Sequence, residues 1–324
     1  MGRGGAVAAD VADYSGKLSE IASGEGGTAA VCNCPGHADL FSAPPQQVRL
    51  PVSTSNADLE AFLAEDELRH ITPLKMLALF RDHMRTVPIS ANGERAFLLL
   101  MPRSASQWDT ANYPDATLVI FPVLTAVHSD AMIAACVHAI LFSAAADRFV
   151  VKTCERDLIA ALRSALPTLS YQRALCTFIP TDEAAFGFVN QTDLPLGVQS
   201  TARIPSEAYP LLAAHDVYGQ RELETMFADG SARCLLSRVE STPVAIALSF
   251  PNSPTLHEIG SLYVSPPARR AGHASALVRA ALADNASRGL RVRYVVDATN
   301  TPSISLAKRC GLHEVMRLEH WLSA

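Results

Sequence analysis

Residues 262–275, with the sequence LYVSPPARRAGHAS, constrain the fold of this chain more than any other stretch. Leu262, Tyr263 and Val264 are typical of the end of an apolar strand, and an Ala/Leu/Val pattern with helical spacing begins after Gly272. A strand that passes through a glycine-containing loop into a helix leaves several backbone N–H groups unpaired at the positive end of the helix dipole. Because such donors suit a phosphate or pyrophosphate, the stretch predicts an anion-binding unit.

The loop supplies the residue types that this prediction needs. Gly272 lets an anion approach the backbone closely, and Ala274 is small for the same reason. Positive charge near the anion would come from Arg269, Arg270 and His273. The predicted backbone donors are those of Ala271, Gly272, His273, Ala274 and Ser275.

Composition narrows the class of protein. The 324 residues are enough for two domains, and 49% hydrophobic with 18% charged residues fits a globular protein with large cores. A net charge of −5 gives no reason to expect nucleic acid or an anionic membrane as a partner. No apolar run reaches the ~18 residues of a membrane span. Seven scattered cysteines favour reduced thiols and a cytoplasmic location, and the early acidic residues make a mitochondrial location less favoured.

The chain divides into three predicted segments. Residues 1–46 are rich in Gly, Ala and Ser and are expected to be a disordered tail. Cys32, Cys34 and His37 lie in that tail, but their spacing does not match a structural zinc site, so no metal is expected. Residues 47–190 are expected to form a first α+β domain, and residues 196–324 a second one.

Hydrophobic periodicity predicts the elements of both domains. In the first, helices are predicted at 58–68, 72–84 and 157–166, strands at 95–101, 116–124, 148–153 and 173–179, and 132–142 fits either. In the second, strands are predicted at 194–202, 233–239, 243–250, 256–264, 291–297 and 312–321, and helices at 206–215, 219–228, 272–287 and from 301.

Two motifs in the second domain carry a family resemblance. Residues 269–274, RRAGHA, resemble the R/Q-x-x-G-x-G/A signature of the GCN5-related N-acetyltransferase (GNAT) superfamily. Asn300, Ser303, Leu306 and the pair Gly311-Leu312 resemble its second motif, N-x-x-S/A-x-x-L-Y-x-x-x-G-F. The resemblance covers residues 196–324 and implies the acyl-CoA N-acyltransferase fold, a mixed central sheet flanked by helices. The first domain resembles the amino-terminal half of glycine N-acyltransferase-like proteins, which implies two GNAT-like halves with the second catalytic.

The resemblance also implies a chemistry. The co-substrate would be acetyl-CoA or another acyl-CoA, and its pantetheine arm would pair with the backbone of Leu262, Tyr263 and Val264. An N–H of the same strand would stabilise the tetrahedral intermediate, and Gly260 would kink the strand. Glu258 matches the glutamate that glycine N-acyltransferases use as general base, and His257 is a weaker alternative on the opposite face. Asn300 would either contact the pantetheine or cap a helix, and the sequence does not choose between these two roles.

One position departs from the family pattern. Ala307 stands where the family often has a tyrosine that protonates the leaving thiolate, so Ser305 or a water would have to replace it. The expected function is acyl transfer from CoA to the amine of an amino acid or small amine by direct attack. A protein N-acetyltransferase and a non-catalytic acyl-CoA-binding protein remain the alternatives, and the sequence leaves the oligomeric state open.

Overall fold

The computed structural model describes residues 56–181, 197–215 and 219–324. The predicted tail 1–46, with Cys32, Cys34 and His37, lies outside the described residues, as do residues 182–196, where the two predicted domains meet. The described residues all belong to one structural unit.

The described helices fall into two sets that follow one another along the chain. The first set is α1 Asn56–Glu65, α2 Ile71–Phe80, α3 Gln107–Asn112, α4 Asp130–Ser143 and α5 Arg156–Ala165. The second set is α6 Tyr209–His215, α7 Gln220–Phe227, α8 His273–Ser287 and α9 Thr301–Arg309.

The described strands form a mixed eleven-stranded sheet in the order β1-β2-β3-β4-β11-β5-β10-β9-β8-β7-β6. The first half provides β1 Arg85–Ala91, β2 Glu94–Pro102, β3 Leu118–Val123, β4 Phe149–Thr153 and β5 Ser170–Pro180. The second half provides β6 Val198–Thr201, β7 Arg233–Val239, β8 Thr242–Pro251, β9 Leu256–Val264, β10 Arg291–Asp297 and β11 Leu312–Leu322.

The two halves repeat one topology and exchange their last strands. In each half two strands run parallel and are joined by a helix, β3-α4-β4 in the first and β9-α8-β10 in the second. β5 then pairs antiparallel with β10, and β11 pairs antiparallel with β4. β5 and β11 also pair with each other from Ser170 opposite Leu322 to Pro180 opposite Leu312. The halves are therefore joined through the centre of a single sheet.

Helices cover both faces of the sheet. In the first half, α4 and α5 pack over one hydrophobic core and α1 and α2 over another. In the second half, α8 and α9 cover one face, and α6 and α7 cover the other. Leu79, from α2 of the first half, also packs against the core beneath α6 and α7. A helix of the first half therefore contributes to the face of the second.

The predicted fold class, an α+β mixed sheet flanked by helices in two halves, is confirmed. The second half has the element order expected from its sequence, and the region 132–142 belongs to the helix α4 that joins two parallel strands. The prediction missed β1 because Pro88 interrupts it, which an edge strand tolerates. It also missed the short helix α3, whose six residues are too few to show a helical period.

Candidate functional site

The parallel strands β9 and β10 separate in the middle of the second half. They pair only from Leu256 opposite Arg291 to Ile259 opposite Tyr294. Beyond Tyr294, β10 pairs with β5 on its other side, whereas β9 continues along β8. Among the described residues, the edge of β9 over 260–264 therefore has no strand beside it on the β10 side, and an extended amide-rich chain can pair there as an added strand.

A bulge bends β9 where the strands part. The register with β8 shifts between Leu248 opposite Gly260 and Ile246 opposite Tyr263, and Ser261 has a φ of 48°. The kink was predicted at Gly260, and it centres one residue later. Gly260 serves a different purpose, because a Cβ there would lie 3.1 Å from the ring of Phe250. Glycine at 260 allows close packing against Phe250, and the neighbouring serine takes the left-handed conformation.

The direction of the backbone groups along this edge follows from one hydrogen bond. The N–H of Ser265 donates to the carbonyl of Val244 in β8 at 2.8 Å. Because successive residues of a strand direct their N–H and C=O groups to opposite edges, those of Val264 and Leu262 face the gap. Nε of Arg269 donates to the Val264 carbonyl at 3.1 Å, so the guanidinium closes the far end of the free edge.

The loop after β9 presents unpaired donors at the start of α8. Within the part of the chain that the structure describes, the N–H groups of residues 271–275 donate to no backbone acceptor outside the helix, and no side chain caps α8. Gly272 is the N-cap, with a φ of 90°, and a Cβ added there would meet no heavy atom within 4 Å. Open space in front of a helix N-terminus with free donors fits the pyrophosphate group that the sequence predicts.

The charged residues of the loop differ in how they are held. Arg269 and Arg270 are exposed, and Arg270 has a φ of 69°. His273 is half-buried, and its Nδ1 lies 2.9 Å from Oγ of Ser237 in β7. The two arginines are thus the exposed cations of the loop, and His273 is fixed against the sheet.

Residues 271–275 are called the donor loop below. The first half has no equivalent of it at α4, the helix that corresponds to α8. Oε2 of Glu94 accepts the N–H of Ser129 at 3.0 Å, and the Ser129 hydroxyl accepts the N–H of Met132 at 3.2 Å. A carboxylate of the chain itself lies at this N-terminus. This arrangement agrees with the absence of the signature motif from the first half.

Glu258 lies in a buried polar cluster rather than in an open cleft. Lys75 Nζ is 3.3 Å and 3.4 Å from its two carboxylate oxygens. Arg293 Nη2 donates to Oε2 at 2.6 Å, and Asn252 Nδ2 donates to the same oxygen at 2.8 Å. The Glu258 side chain is 6% exposed. Two cations and an amide therefore replace most of the water around its carboxylate.

The cluster sets the charge of Glu258. Burial alone raises the pKa of a carboxyl, but here Lys75 and Arg293 outweigh burial and lower the pKa of Glu258 to about 2. Burial lowers the pKa of Lys75, and Glu258 opposes that effect. At neutral pH Glu258 is ionised, able to accept a proton but a weak base.

His257 faces the other side of β9, as strand alternation predicts. It is 2% exposed, and burial together with Arg288 and Arg233 lowers its pKa to about 4. Among the described residues its Nδ1 has no hydrogen-bond partner. His257 is therefore a neutral imidazole under the helix α8, on the face away from Glu258.

The second motif places its residues at the start of α9. Oδ1 of Asn300 accepts the N–H of Ser303 at 3.1 Å, so Asn300 is the N-cap of α9, one of the two roles left open by the sequence. Ala307 is fully buried in the core under α8 and α9. The position has no room for a tyrosine side chain without repacking that core.

Sequence reasoning missed the partners of Glu258. Lys75 is the single charged residue in the ten residues of α2, ITPLKMLALF, and it faces the sheet with 9% exposure. A lone lysine in an otherwise apolar helix was the available signal, because burial of a lysine requires a partner. Nothing local in the sequence indicates which carboxylate that partner is.

Among the described residues, no group of three or more His, Cys, Asp or Glu side chains is arranged to hold a metal ion. In the same residues, no helix combines the length and the apolar character that crossing a bilayer requires.

A family model matches the second half of the chain. Residues 198–312 fit the model described as the acetyltransferase (GNAT) family. The match includes β9, the donor loop, α8, β10 and α9, which are the elements that form the free edge and the helix N-terminus. No curated protein sequence matches the chain.

Solved structures resemble both halves together. A GCN5-related N-acetyltransferase from Sphaerobacter thermophilus is 16% identical, with a TM-score of 0.55 over 85% of this chain and 94% of that one. A protein from Drosophila is 14% identical, with a TM-score of 0.54 over 86% and 98%. A tandem GNAT protein from the clavulanic acid biosynthesis pathway is 13% identical, with a TM-score of 0.50 over 85% and 97%. At these identities the likeness establishes the fold.

Proposed function

We propose that the second half of the chain, whose residues 198–312 match the acetyltransferase (GNAT) family model, is a GNAT acetyltransferase domain and that the protein is an acyl-CoA-dependent N-acyltransferase. The GNAT family uses acetyl-CoA or another acyl-CoA as co-substrate, so the match supports transfer of an acyl group. The acceptor in our proposal is the amine of an amino acid or another small amine, as in the glycine N-acyltransferase-like subgroup.

The observation that supports the proposal most strongly is that an unpaired strand edge and a group of free N–H donors lie next to each other at one end of β9. The unpaired edge over residues 260–264 suits the amides of a pantetheine arm. The free N–H groups of residues 271–275 suit the pyrophosphate at the end of that arm. A bound acyl-CoA would thus place its thioester near the bulge at Ser261.

The reaction follows from what lies around that point. The N–H of Leu262 faces the gap and would stabilise the negative charge that develops on the thioester oxygen. Glu258, on the opposite face from the α8 core, is our candidate to take the proton from the attacking amine. The amine would attack the thioester directly, with no covalent enzyme intermediate. Because Ala307 offers no proton, the thiolate would leave unaided or through water, since a thiol pKa near ~8.5 makes it a tolerable leaving group.

Thiol release tests this proposal. Acetyl-CoA and benzoyl-CoA are each incubated with the protein and a panel of amino acids, small amines and short peptides. Release that depends on an amino acid or small amine supports the proposal. Release only with peptides would indicate a protein N-acetyltransferase. Binding of CoA by calorimetry without any amine-dependent release would instead indicate an acyl-CoA-binding protein.

The donor loop gives a prediction of its own. Gly272→Val places a β-branched residue at a φ of 90° and directs its side chain into the open space before α8. We expect the Kd for CoA to rise by about 10-fold to 100-fold, since left-handed strain costs roughly 1–3 kcal/mol and the donors turn away.

The matched control for that substitution is Gly230→Val. Gly230 has a φ of 71°, also lacks any heavy atom within 4 Å of an added Cβ, and lies in the turn before β7. It introduces comparable strain away from the loop, so its Kd for CoA should be unchanged. Equal CoA affinities for the two variants would argue against the loop as the pyrophosphate site.

A further inference from the structure

Lys75 belongs to α2 of the first half, yet its ammonium lies against a carboxylate on β9 of the second half. We propose that Lys75 is a positioning residue of the catalytic site, supplied by the first half, which holds the Glu258 carboxylate in one orientation and in its charged form. The effect of Lys75 on turnover rests on the proposed function, whereas its contacts with Glu258 do not.

Lys75 contacts both oxygens of the Glu258 carboxylate, and this two-oxygen contact is called the clamp below. Lys75 Nζ is nearly equidistant from both oxygens of Glu258, at 3.3 Å and 3.4 Å. The ammonium also lies 4.8 Å from the ring centroid of Phe250, a cation–π contact that fixes its other side. The Lys75 side chain is 11% exposed. An ion pair this buried has little freedom to exchange with solvent, so both side chains are held in one arrangement.

Three further groups face the pair from the elements around it. Arg293 on β10 and Asn252 after β8 donate to Oε2 of Glu258, and Glu222 on α7 acts on Lys75 from a greater distance. Arg293 stands directly opposite Glu258 in the β9–β10 register. It would therefore stay beside the carboxylate without Lys75, and of these four described groups Lys75 is the one that comes from the first half.

The first half contacts the second half at two more points on the face that carries Glu258, and these contacts keep Lys75 in place. Leu79, one helical turn after Lys75, packs into the core under α6 and α7. Glu67, in the turn before α2, accepts from the hydroxyl of Thr255 at 2.8 Å and pairs with Arg291 at the start of β10. The segment from Glu67 to Leu79 thus spans the second half on the face that carries Glu258.

Burying two cations and a carboxylate costs more than burying apolar side chains of the same size. The position of the cluster beside the point where β9 and β10 part is therefore explained better by a requirement at Glu258 than by stability.

The test compares Lys75→Met with Lys75→Arg and the control Arg81→Met. Methionine retains the apolar stem of lysine, and Arg293 still compensates Glu258, so the fold should persist. Arg81 pairs with Glu60 on the surface of the same half, with side chains 48% and 52% exposed, and does not approach Glu258. The higher pKa of Glu258 in Lys75→Met would by itself make it a stronger base, so a fall in kcat reports lost orientation of the carboxylate. We expect kcat to fall at least 10-fold in Lys75→Met, with KM for acyl-CoA within twofold, and partial recovery in Lys75→Arg.

The pH profile separates positioning from a loss of packing. Without Lys75, burial acts on Glu258 with less opposition and its pKa rises from about 2, so the acid limb of kcat/KM, which lies below pH 5 in the wild type, should move up by at least one pH unit in Lys75→Met. Arg81→Met should keep the wild-type limb. An unchanged limb and an unchanged kcat in Lys75→Met would overturn the inference.

A measurement that needs no turnover distinguishes failure of the inference from failure of the proposed function. Stability that depends on charged Glu258 is present above the ordinary carboxyl pKa of 4.5 and is lost as pH falls toward 2. The difference in urea midpoint between wild type and Lys75→Met should therefore shrink by at least half from pH 6 to pH 3. A pH-independent difference would refute the clamp, whereas absent turnover with a shrinking difference would refute only the catalytic role.

Discussion

Glu258→Gln should lower kcat/KM for acyl transfer about 100-fold at neutral pH and leave the affinity for CoA unchanged. General bases contribute roughly 10²-fold to 10⁴-fold, and efficiency depends on the match between the pKa of the base and the working pH. Because Lys75 and Arg293 hold the pKa of Glu258 at about 2, Glu258 is a weak base, and we expect the lower end of that range. Steady-state thiol release and CoA calorimetry measure the two quantities.

The same pKa fixes the pH dependence of the wild type. The pKa of Glu258 lies below its ordinary value, so the carboxylate is present throughout the range from pH 5 to 8. No acid limb from Glu258 should appear in that range, and any rise of rate with pH should follow deprotonation of the free amine. In Glu258→Gln the rate should recover partly at high pH, because neutral amine no longer needs a base.

Glu224→Gln is the matched control for Glu258→Gln. Glu224 is an exposed glutamate of α7 that accepts from Gln220 at 2.9 Å, and the same substitution there should leave both quantities unchanged. Thermal melts are required for both variants, since Glu258→Gln leaves Lys75 and Arg293 without their carboxylate. A folded Glu258→Gln protein with wild-type kcat/KM would exclude Glu258 as the base.

The donor loop could be predicted from local sequence because every part of that unit is encoded within a short stretch. The strand 256–264 and the strand 291–297 were predicted with the bounds that the structure has. The helix after Gly272 begins at His273, since glycine takes the positive φ of the N-cap and the following residues have helical spacing. Such features follow from residue type and period, so a single sequence is enough to predict them.

The partners of Glu258 and the exchange of last strands between the halves could not be predicted from the sequence and became visible only in the structure. Lys75 and Glu258 are separated by 183 residues, and the sequence holds other lysines and carboxylates between which no local rule chooses. The exchange places β5 beside β10 and β11 beside β4, although each strand looks, in sequence, like the end of its own half. Pairings of this kind depend on the whole sheet, which period and propensity do not encode.

A second buried ion pair, in the first half, gives the largest expected effect on stability. Nζ of Lys152 lies 2.5 Å from Oδ1 of Asp109, and the two side chains are 2% and 0% exposed. Rings surround the ammonium, with centroids 4.8 Å away for Trp108, 5.8 Å for Tyr113 and 5.4 Å for Phe121. This arrangement stabilises a cation only while Asp109 is present, because the rings alone compensate little of its charge.

Asp109→Ala should therefore lower the free energy of unfolding by about 3–5 kcal/mol, the usual cost of leaving one member of a buried pair uncompensated. Burial lowers the pKa of Lys152, and loss of Asp109 removes the opposing effect, so Lys152 can shed its proton more easily. A folded-state pKa below the unfolded value means that stability rises with pH, so the loss should diminish toward pH 10. Urea unfolding at pH 7 and pH 10 measures both effects.

Two variants show whether that loss comes from the uncompensated charge. The double variant Asp109→Ala with Lys152→Met removes the charge as well as its partner, and it should recover most of the stability at pH 7. Asp115→Ala breaks only the exposed pair with Arg148, whose side chains are 64% and 46% exposed, and should change stability by less than about 1 kcal/mol. If the double variant were no more stable than Asp109→Ala, the cost would lie in lost packing around α3 rather than in the charge of Lys152.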